Sequence, residues 1–294
     1  MSRLFRVSPL VAILLLVPAA ISAQRTARRI FVNVVGADGK PVLDLTAAEF
    51  SVTENDVNRE VTRAAHGTAP MRVVLLVDSS SAVAPLLTNM RAGLNSFLTA
   101  LPPEHEITFI STGGQLRIRV PMTADRPKLF TAAAAFTSDG GGNSFVEALL
   151  ESDRRFLKNA PTQWPVFVLL WTDNGDSRAE VRDEAYNRFM IDFLARGGSA
   201  HGIVIHPNPI AGMVTEIAMN LIRNTGGIYE SMIATNTLPE RMKAVADRIA
   251  TDHRAMVNWY EVEYTGDGKI REPRVEVSVA RPGVLLQMSP GRPF

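Results

Sequence analysis

Two uninterrupted apolar runs, each ending abruptly in a polar loop that carries a carboxylate, constrain the fold of this 294-residue chain more than any other feature. Val73-Val74-Leu75-Leu76-Val77 stops at Asp78-Ser79-Ser80-Ser81-Ala82. Val166-Phe167-Val168-Leu169-Leu170-Trp171 stops at Thr172-Asp173-Asn174-Gly175-Asp176. A strand with one wet face alternates apolar and polar residues, whereas an all-apolar strand is covered on both faces, as in a parallel sheet flanked by helices. The first run is followed by apolar residues at 83, 86, 87, 90, 94, 97, 98 and 101, a helical stripe closed by Pro102-Pro103.

The chain around these runs has matching grammar. Short strands at 107–110 and 116–120, joined across Gly113-Gly114, predict an antiparallel edge hairpin, because so short a loop cannot carry a crossover. Helices are expected near 125–136, 144–158, 178–196, 212–224 and 238–256, alternating with strands at 166–171, 201–206 and 228–231. The predicted class is α/β: a doubly wound, Rossmann-like sheet, mostly parallel with one antiparallel edge strand and helices on both faces. The flanks read as β structure. Residues 30–35, the turn Asp38-Gly39-Lys40-Pro41 and residues 50–53 form one segment, with Thr46 and Glu49 at capping-box spacing. Val262, Tyr264, the turn 266–269 and the alternating residues 274–279 form the other, read as a hairpin. Neither is long enough for its own core, so the two are expected to pair in one small β unit. The expected organisation is a leader at 1–23, an N-terminal β segment at 24–69, an α/β domain at 70–256, and a C-terminal β segment at 257–294 that pairs with 24–69.

Basic Arg3 and Arg6, the apolar stretch from Leu10 to Val17, Pro18 and Ile21-Ser22-Ala23 have the three-part layout of a secretory signal. Cleavage after Ala23 and a secreted or periplasmic location follow, with no transmembrane segment in the mature chain. There is no cysteine, which excludes disulfides, thiolate metal sites and a cysteine nucleophile. Loss of Arg3 and Arg6 with the leader leaves 29 basic against 30 acidic side chains, a net of −1. The basic residues are interspersed with acidic ones, which argues against a nucleic-acid partner.

In an open α/β sheet, ligands bind beyond the carboxyl ends of the strands where the strand order reverses. The loops after Val77 and Trp171 place carboxylates beside hydroxyls, a hard-oxygen set suited to Mg²⁺, Mn²⁺ or Ca²⁺. The same residues also suit a purely local role, in which Asp78 and Ser80 cap the next helix and Asp173 orders its turn. A hydrolase would draw on Ser79, Ser80 or Ser81 with His201 or His206 as base, but no Gly-x-Ser-x-Gly elbow surrounds these serines. The five histidines lack metal-ligand spacing. Asp139-Gly140-Gly141-Gly142 lacks the Gly-Lys-Ser/Thr of a phosphate cradle and reads as a flexible loop bordering the ligand face.

At these residues the sequence resembles the von Willebrand factor type A (vWA) family. There a strand ends in Asp-x-Ser-x-Ser, a Gly-rich loop supplies Thr, and a second strand ends in Thr-Asp-Gly, forming a metal-ion-dependent adhesion site. Asp78 and Ser80 match, as does Asp173, although Asn174 intervenes before Gly175. Ala82 stands at the second Ser, and Asn143 stands where Thr is expected, counting back from Ala148-Leu149; Ser144 follows with a hydroxyl. Residues 32–35, Asp38-Gly39-Lys40-Pro41-Val42, Leu45-Thr46-Ala47-Ala48-Glu49-Phe50, Thr225-Gly226-Gly227-Ile228-Tyr229 and the stretch from Tyr264 to Gly283 are similar to secreted bacterial VWFA-related proteins. The resemblance implies an exported, non-catalytic adhesion-type module. It would bind a protein ligand that presents a carboxylate, through a degenerate cation site formed by Asp78, Ser80, Asn143, Ser144 and Asp173. The alternative within the same fold is a metal-independent scaffold or assembly component of the cell envelope.

Overall fold

A computed structural model describes residues 25–160, 163–173, 183–206, 211–270 and 273–289, so the expected leader and the loop Asn174-Gly175-Asp176 lie outside the described residues. The chain opens with β1 (Arg25–Val35), β2 (Phe50–Glu54), β3 (Val57–Arg59) and β4 (Val61–His66). It continues through β5 (Met71–Val77), α1 (Leu87–Ala100), β6 (Glu106–Ser111), β7 (Arg117–Thr123), α2 (Arg126–Ala134), α3 (Phe145–Ser152), β8 (Trp164–Thr172) and α4 (Asp183–Ala195). β9 (Ser199–Ile205), α5 (Met213–Asn224), β10 (Tyr229–Met232), α6 (Leu238–Met256), β11 (Trp259–Asp267), β12 (Val275–Val279) and β13 (Leu285–Ser289) complete it. No described helix is long and apolar enough to cross a membrane.

The central sheet has the order β10-β9-β8-β5-β6-β7, parallel throughout except for the antiparallel edge strand β7. The all-apolar runs are buried on both faces. Val73, Leu75 and Val77 of β5, with Val166, Val168 and Leu170 of β8, join the core under α1, α2 and α6. Val74, Leu76, Phe167, Leu169 and Trp171 point the other way, into the core under α3, α4 and α5. Regular helix begins later than the apolar stripe suggests: Ser81–Leu86 is a 3₁₀ segment containing Pro85, and α1 starts only at Leu87. Proline has no N–H for the helical ladder, so the α-helix forms beyond it. On the opposite face of the sheet, α3 runs into a π turn at Asp153–Leu157, closed by Lys158 N–H donating to Asp153 O at 2.9 Å.

The flanking segments pair in two sheets. β13-β1-β11-β4 form a four-stranded antiparallel sheet, and β12-β2-β3 form a second of three. β11 and β12 do not pair with each other as a hairpin; β11 inserts between β1 and β4, while β12 adds to β2. The reason is apolar area. Ile30, Val32 and Val34 of β1 and Tyr260, Val262 and Tyr264 of β11 need cover, and the second sheet supplies Phe50 and Val52. Together these segments build a core that neither contains alone. The side chain between them in β1, Phe31, faces the opposite way, packs on Trp164 at 4.9 Å between ring centroids and belongs to the central core. One strand therefore feeds two cores through its two-residue period.

Truncating this joint should be costly. Phe31→Ala is expected to lower the stability to urea unfolding by about 3–5 kcal/mol, as for other fully buried aromatics. A loss below about 1 kcal/mol would show that the contact with Trp164 does not couple the small unit to the central sheet.

Candidate binding site at the strand-end crevice

Strand order reverses between β5 and β8: the chain proceeds from β5 outward to β6 on one side and from β8 to β9 and β10 on the other. The crevice at that reversal lies beyond Val77 and Thr172. Asp78, the first residue after β5, remains stitched to β8, its N–H donating to Leu170 O at 2.8 Å. Its carboxylate is fully buried. Oδ1 accepts the Ser80 N–H at 2.8 Å, and Oδ2 accepts the Thr172 N–H at 3.1 Å and the Thr172 hydroxyl at 2.6 Å. Among the described residues no Lys or Arg forms an ion pair with it. Three donors leave room for one more interaction on a carboxylate that can accept about four.

The Ser80 side chain does not cap the following helix. It is 1% exposed, and its Oγ is buried without a hydrogen-bond partner. Asn143 is equally enclosed at 3% exposure. Its Oδ1 accepts the Thr112 hydroxyl at 2.6 Å, while its Nδ2 is buried and unpartnered. Ser144 starts α3 with its N–H on Thr112 O at 2.8 Å and its hydroxyl donating to Gly114 O at 3.1 Å. Asp173 is half-buried and accepts the Gly212 N–H at 3.4 Å. The five residues singled out from the sequence thus all border the crevice loops, but Ser144 turns its hydroxyl proton toward the loop at Gly114. Thr112, which holds the Asn143 amide, has no counterpart in the sequence pattern.

The Gly-rich loop is pinned rather than free. Asp139, with its side chain almost fully buried, accepts the Ser79 hydroxyl at 2.7 Å and the Ser111 hydroxyl at 3.0 Å, bonds to Arg119, and pairs with Arg117 at 3.6 Å. Burial pushes the Asp139 carboxyl upward, but the bonds from Ser79, Arg119 and Ser111 outweigh it and hold the group below its ordinary range. The backbone adds Asp139 N to Ser79 O at 2.7 Å, Ser81 N to Gly141 O at 3.1 Å and Gly114 N to Gly142 O at 2.7 Å. Gly140 and Gly141 have φ of 78° and 68°, where a side chain would strain the backbone. Gly113 sits so close to the first loop that a Cβ would fall 2.3 Å from Ser79 O. Arg117 and Arg119 are two apart on a strand and so share a face. That spacing was the available signal for a carboxylate partner in the loop.

No protein-family profile and no curated protein matches the sequence. Solved structures do. A von Willebrand factor type A protein from Catenulispora acidiphila, 12% identical, superposes with a TM-score of 0.50 over 77% of this chain and 51% of its own, so this chain spans about half the length of that protein. BatB from Bacteroides thetaiotaomicron is 13% identical over 62% of this chain and 99% of its own, with a TM-score of 0.46. An aerotolerance-related membrane protein from Bacteroides fragilis is 13% identical over 60% and 99%, with a TM-score of 0.44. The likeness to the first is one of fold: the central sheet and its helices have the Rossmann-like vWA fold.

Away from the crevice, the fold joins histidines that look scattered in the sequence. Potential ligand atoms of Glu104, His105 and His253 lie within 4.8 Å of one another, and the two rings meet edge-on at 4.6 Å. His105 Nδ1 accepts the Met71 N–H at 3.2 Å, so the neutral ring carries its proton on the buried Nε2 and has no lone pair there for a metal. His253 Nε2 contacts Ala69 O at 2.8 Å and so donates to it. The pair is a latch between α6 and the entry to β5. Burial, reinforced by His253, lowers the His105 pKa from 6.5 to about 4. Between those values the folded ring stays neutral while the unfolded one takes a proton, so stability is full above pH 6.5 and falls as the pH drops toward 4. The expected loss in that window is about 3 kcal/mol, read from urea unfolding as a function of pH. His105→Gln should flatten the profile there; an unchanged slope would place the titrating group elsewhere.

Proposed function

We propose that this chain is an exported, non-catalytic protein-binding module of vWA fold that recognises its partner at the carboxyl ends of β5 and β8. A divalent cation, Mg²⁺, Mn²⁺ or Ca²⁺, would be held by Asp78, Ser80, Asn143 and Asp173, with Ser144 at its border, and would bridge to a carboxylate of the partner. One observation carries the cation: the buried Ser80 Oγ has no partner and neighbours a fully buried Asp78 carboxylate with no basic side chain against it. Burying an uncompensated polar group costs about 1–3 kcal/mol, and more for a charge. A cation would offset both at once, whereas a metal-independent scaffold would leave both in place.

The donor chemistry fits with one adjustment. The two ends of a primary amide are close to isosteric, so turning Asn143 would let Nδ2–H donate to Thr112 Oγ1, let the Thr112 hydroxyl donate to Val77 O, now 3.5 Å away, and present Oδ1 to a cation. Ala82 contributes no oxygen. The remaining positions fall to water and to the partner's carboxylate, so the cation binds weakly to the chain alone. A non-catalytic role is supported by the commitments of Ser79 and of both candidate bases. Ser79 Oγ donates to Asp139, His201 Nδ1 accepts the Ile228 N–H at 3.2 Å, and His206 Nε2 lies 2.8 Å from Ile233 O. Export rests on the layout of Arg3, Arg6, the apolar stretch and Ile21-Ser22-Ala23.

Thermal unfolding with and without Mg²⁺, Mn²⁺ or Ca²⁺ tests the reading. At least one cation is expected to raise the melting temperature of the wild type, and the rise should vanish in Asp78→Ala. Ala82→Ser, which restores an oxygen, should tighten the cation about tenfold, or about 1.4 kcal/mol. If neither the wild type nor Ala82→Ser responds to any of the three, the cation is wrong.

A further inference from the structure

A second, separate site lies where β1 is left uncovered. On its inner edge β1 pairs with β11 from Arg25 to Asn33, but β13 covers its outer edge only from Phe31 to Val35. Among the described residues no strand pairs with that outer edge at residues 25–30. The residue after Ser289 is Pro290, which has no amide proton to extend the ladder. A cavity of about 690 Å³ opens at this place and is lined by four consecutive residues of β1, Ala27, Arg28, Arg29 and Ile30. Successive side chains of a strand point to opposite faces, so a cavity touching all four runs along the strand's edge. One wall is α4, through Asp192, Ala195 and Arg196, together with Lys158; the other includes Pro273 and Val275. An unpaired strand edge flanked by a helix is the arrangement that accepts an extended peptide as an added strand.

The charges say which peptide. The lining presents Arg28, Arg29, Lys158 and Arg196 against the single carboxylate of Asp192, whose pair with Lys158 at 3.4 Å is solvent-exposed and therefore weak. The carboxylates that pair with the arginines, Glu54, Glu261 and Asp153, are buried and do not line the cavity. Arg196 donates through Nη2 to Asp153 at 2.7 Å and through Nε to Asp192 O at 3.1 Å, and its Nη1 is buried without a partner. The geometry points to a docking groove for an extended acidic segment of a partner protein, which adds along residues 26–30 of β1 and sets a carboxylate against Arg196 and Lys158. This site is independent of the cation reading at the strand-end crevice.

The test uses the full chain and a short capped, fluorescein-labelled peptide that alternates glutamate with valine and threonine, compared with the same peptide carrying lysine for glutamate. Fluorescence anisotropy should show binding of the acidic peptide alone, and hydrogen exchange should slow at the amides of residues 26–30. Ala195→Trp, at an exposed helix position that fills the groove, and Lys158→Glu should each weaken binding at least tenfold at unchanged melting temperature. Equal binding of both peptides, no protection on β1, or no effect of Ala195→Trp would overturn the proposal. So would binding that appears only after residues 290–294 are deleted, because the chain's own end would then be the occupant.

Discussion

The three hydrogen bonds that end on the Asp78 carboxylate hold the centre of the molecule together. The two from Thr172 join the loop after β5 to the end of β8 at the one place in the sheet where consecutive connections part to opposite sides, and the third, from Ser80, fixes the loop itself. A carboxylate can sit there because the flanking strands are buried on both faces and their ends supply backbone and hydroxyl donors in fixed positions. None of these three donors carries a positive charge. What the fold gains in a firm joint it leaves as an uncompensated charge.

A second buried carboxylate close by shows the contrast. Asp139 is met by two arginines and two serine hydroxyls, and with them it fastens the Gly-rich loop onto the first loop through Ser79. Its charge is cancelled within the chain and its role is architectural. Asp78 has donors but no cation, and the Ser80 hydroxyl next to it has no hydrogen-bond partner. One carboxylate builds the rim; the other, left electrostatically open, is where an outside cation would have most effect. Position in the sheet alone does not separate these roles, since the loops of both meet at the same end of the strands.

The central sheet was legible because all-apolar strands and helical stripes report directly on which faces are buried. The Asp78, Ser80 and Asp173 placements followed from strand ends, which a sequence shows clearly. The two-sheet form of the small β unit was not legible: β11 and β12 are neighbours in sequence with a turn between them, and only the apolar demand of β1 explains why they separate. The fixed state of the Gly-rich loop was also hidden, because a run of glycines looks mobile until Arg117, Arg119 and Ser111 are known to converge on Asp139. His105 and His253 meet only through the packing of α6 against the sheet, which no local spacing encodes. Pro85 delays the first helix to Leu87, although the apolar stripe begins at Val83.

The proposed function turns on whether the Asp78 carboxylate and the Ser80 hydroxyl take a divalent cation. Anomalous X-ray diffraction from crystals of the full chain equilibrated with Mn²⁺ tests it most directly. The account predicts a manganese peak at the strand-end crevice with Ser80 Oγ in its coordination shell and the Asn143 amide turned toward it. Manganese absent from the crevice, with Ser80 Oγ hydrogen-bonded to water or to Asn143 Nδ2, would contradict it.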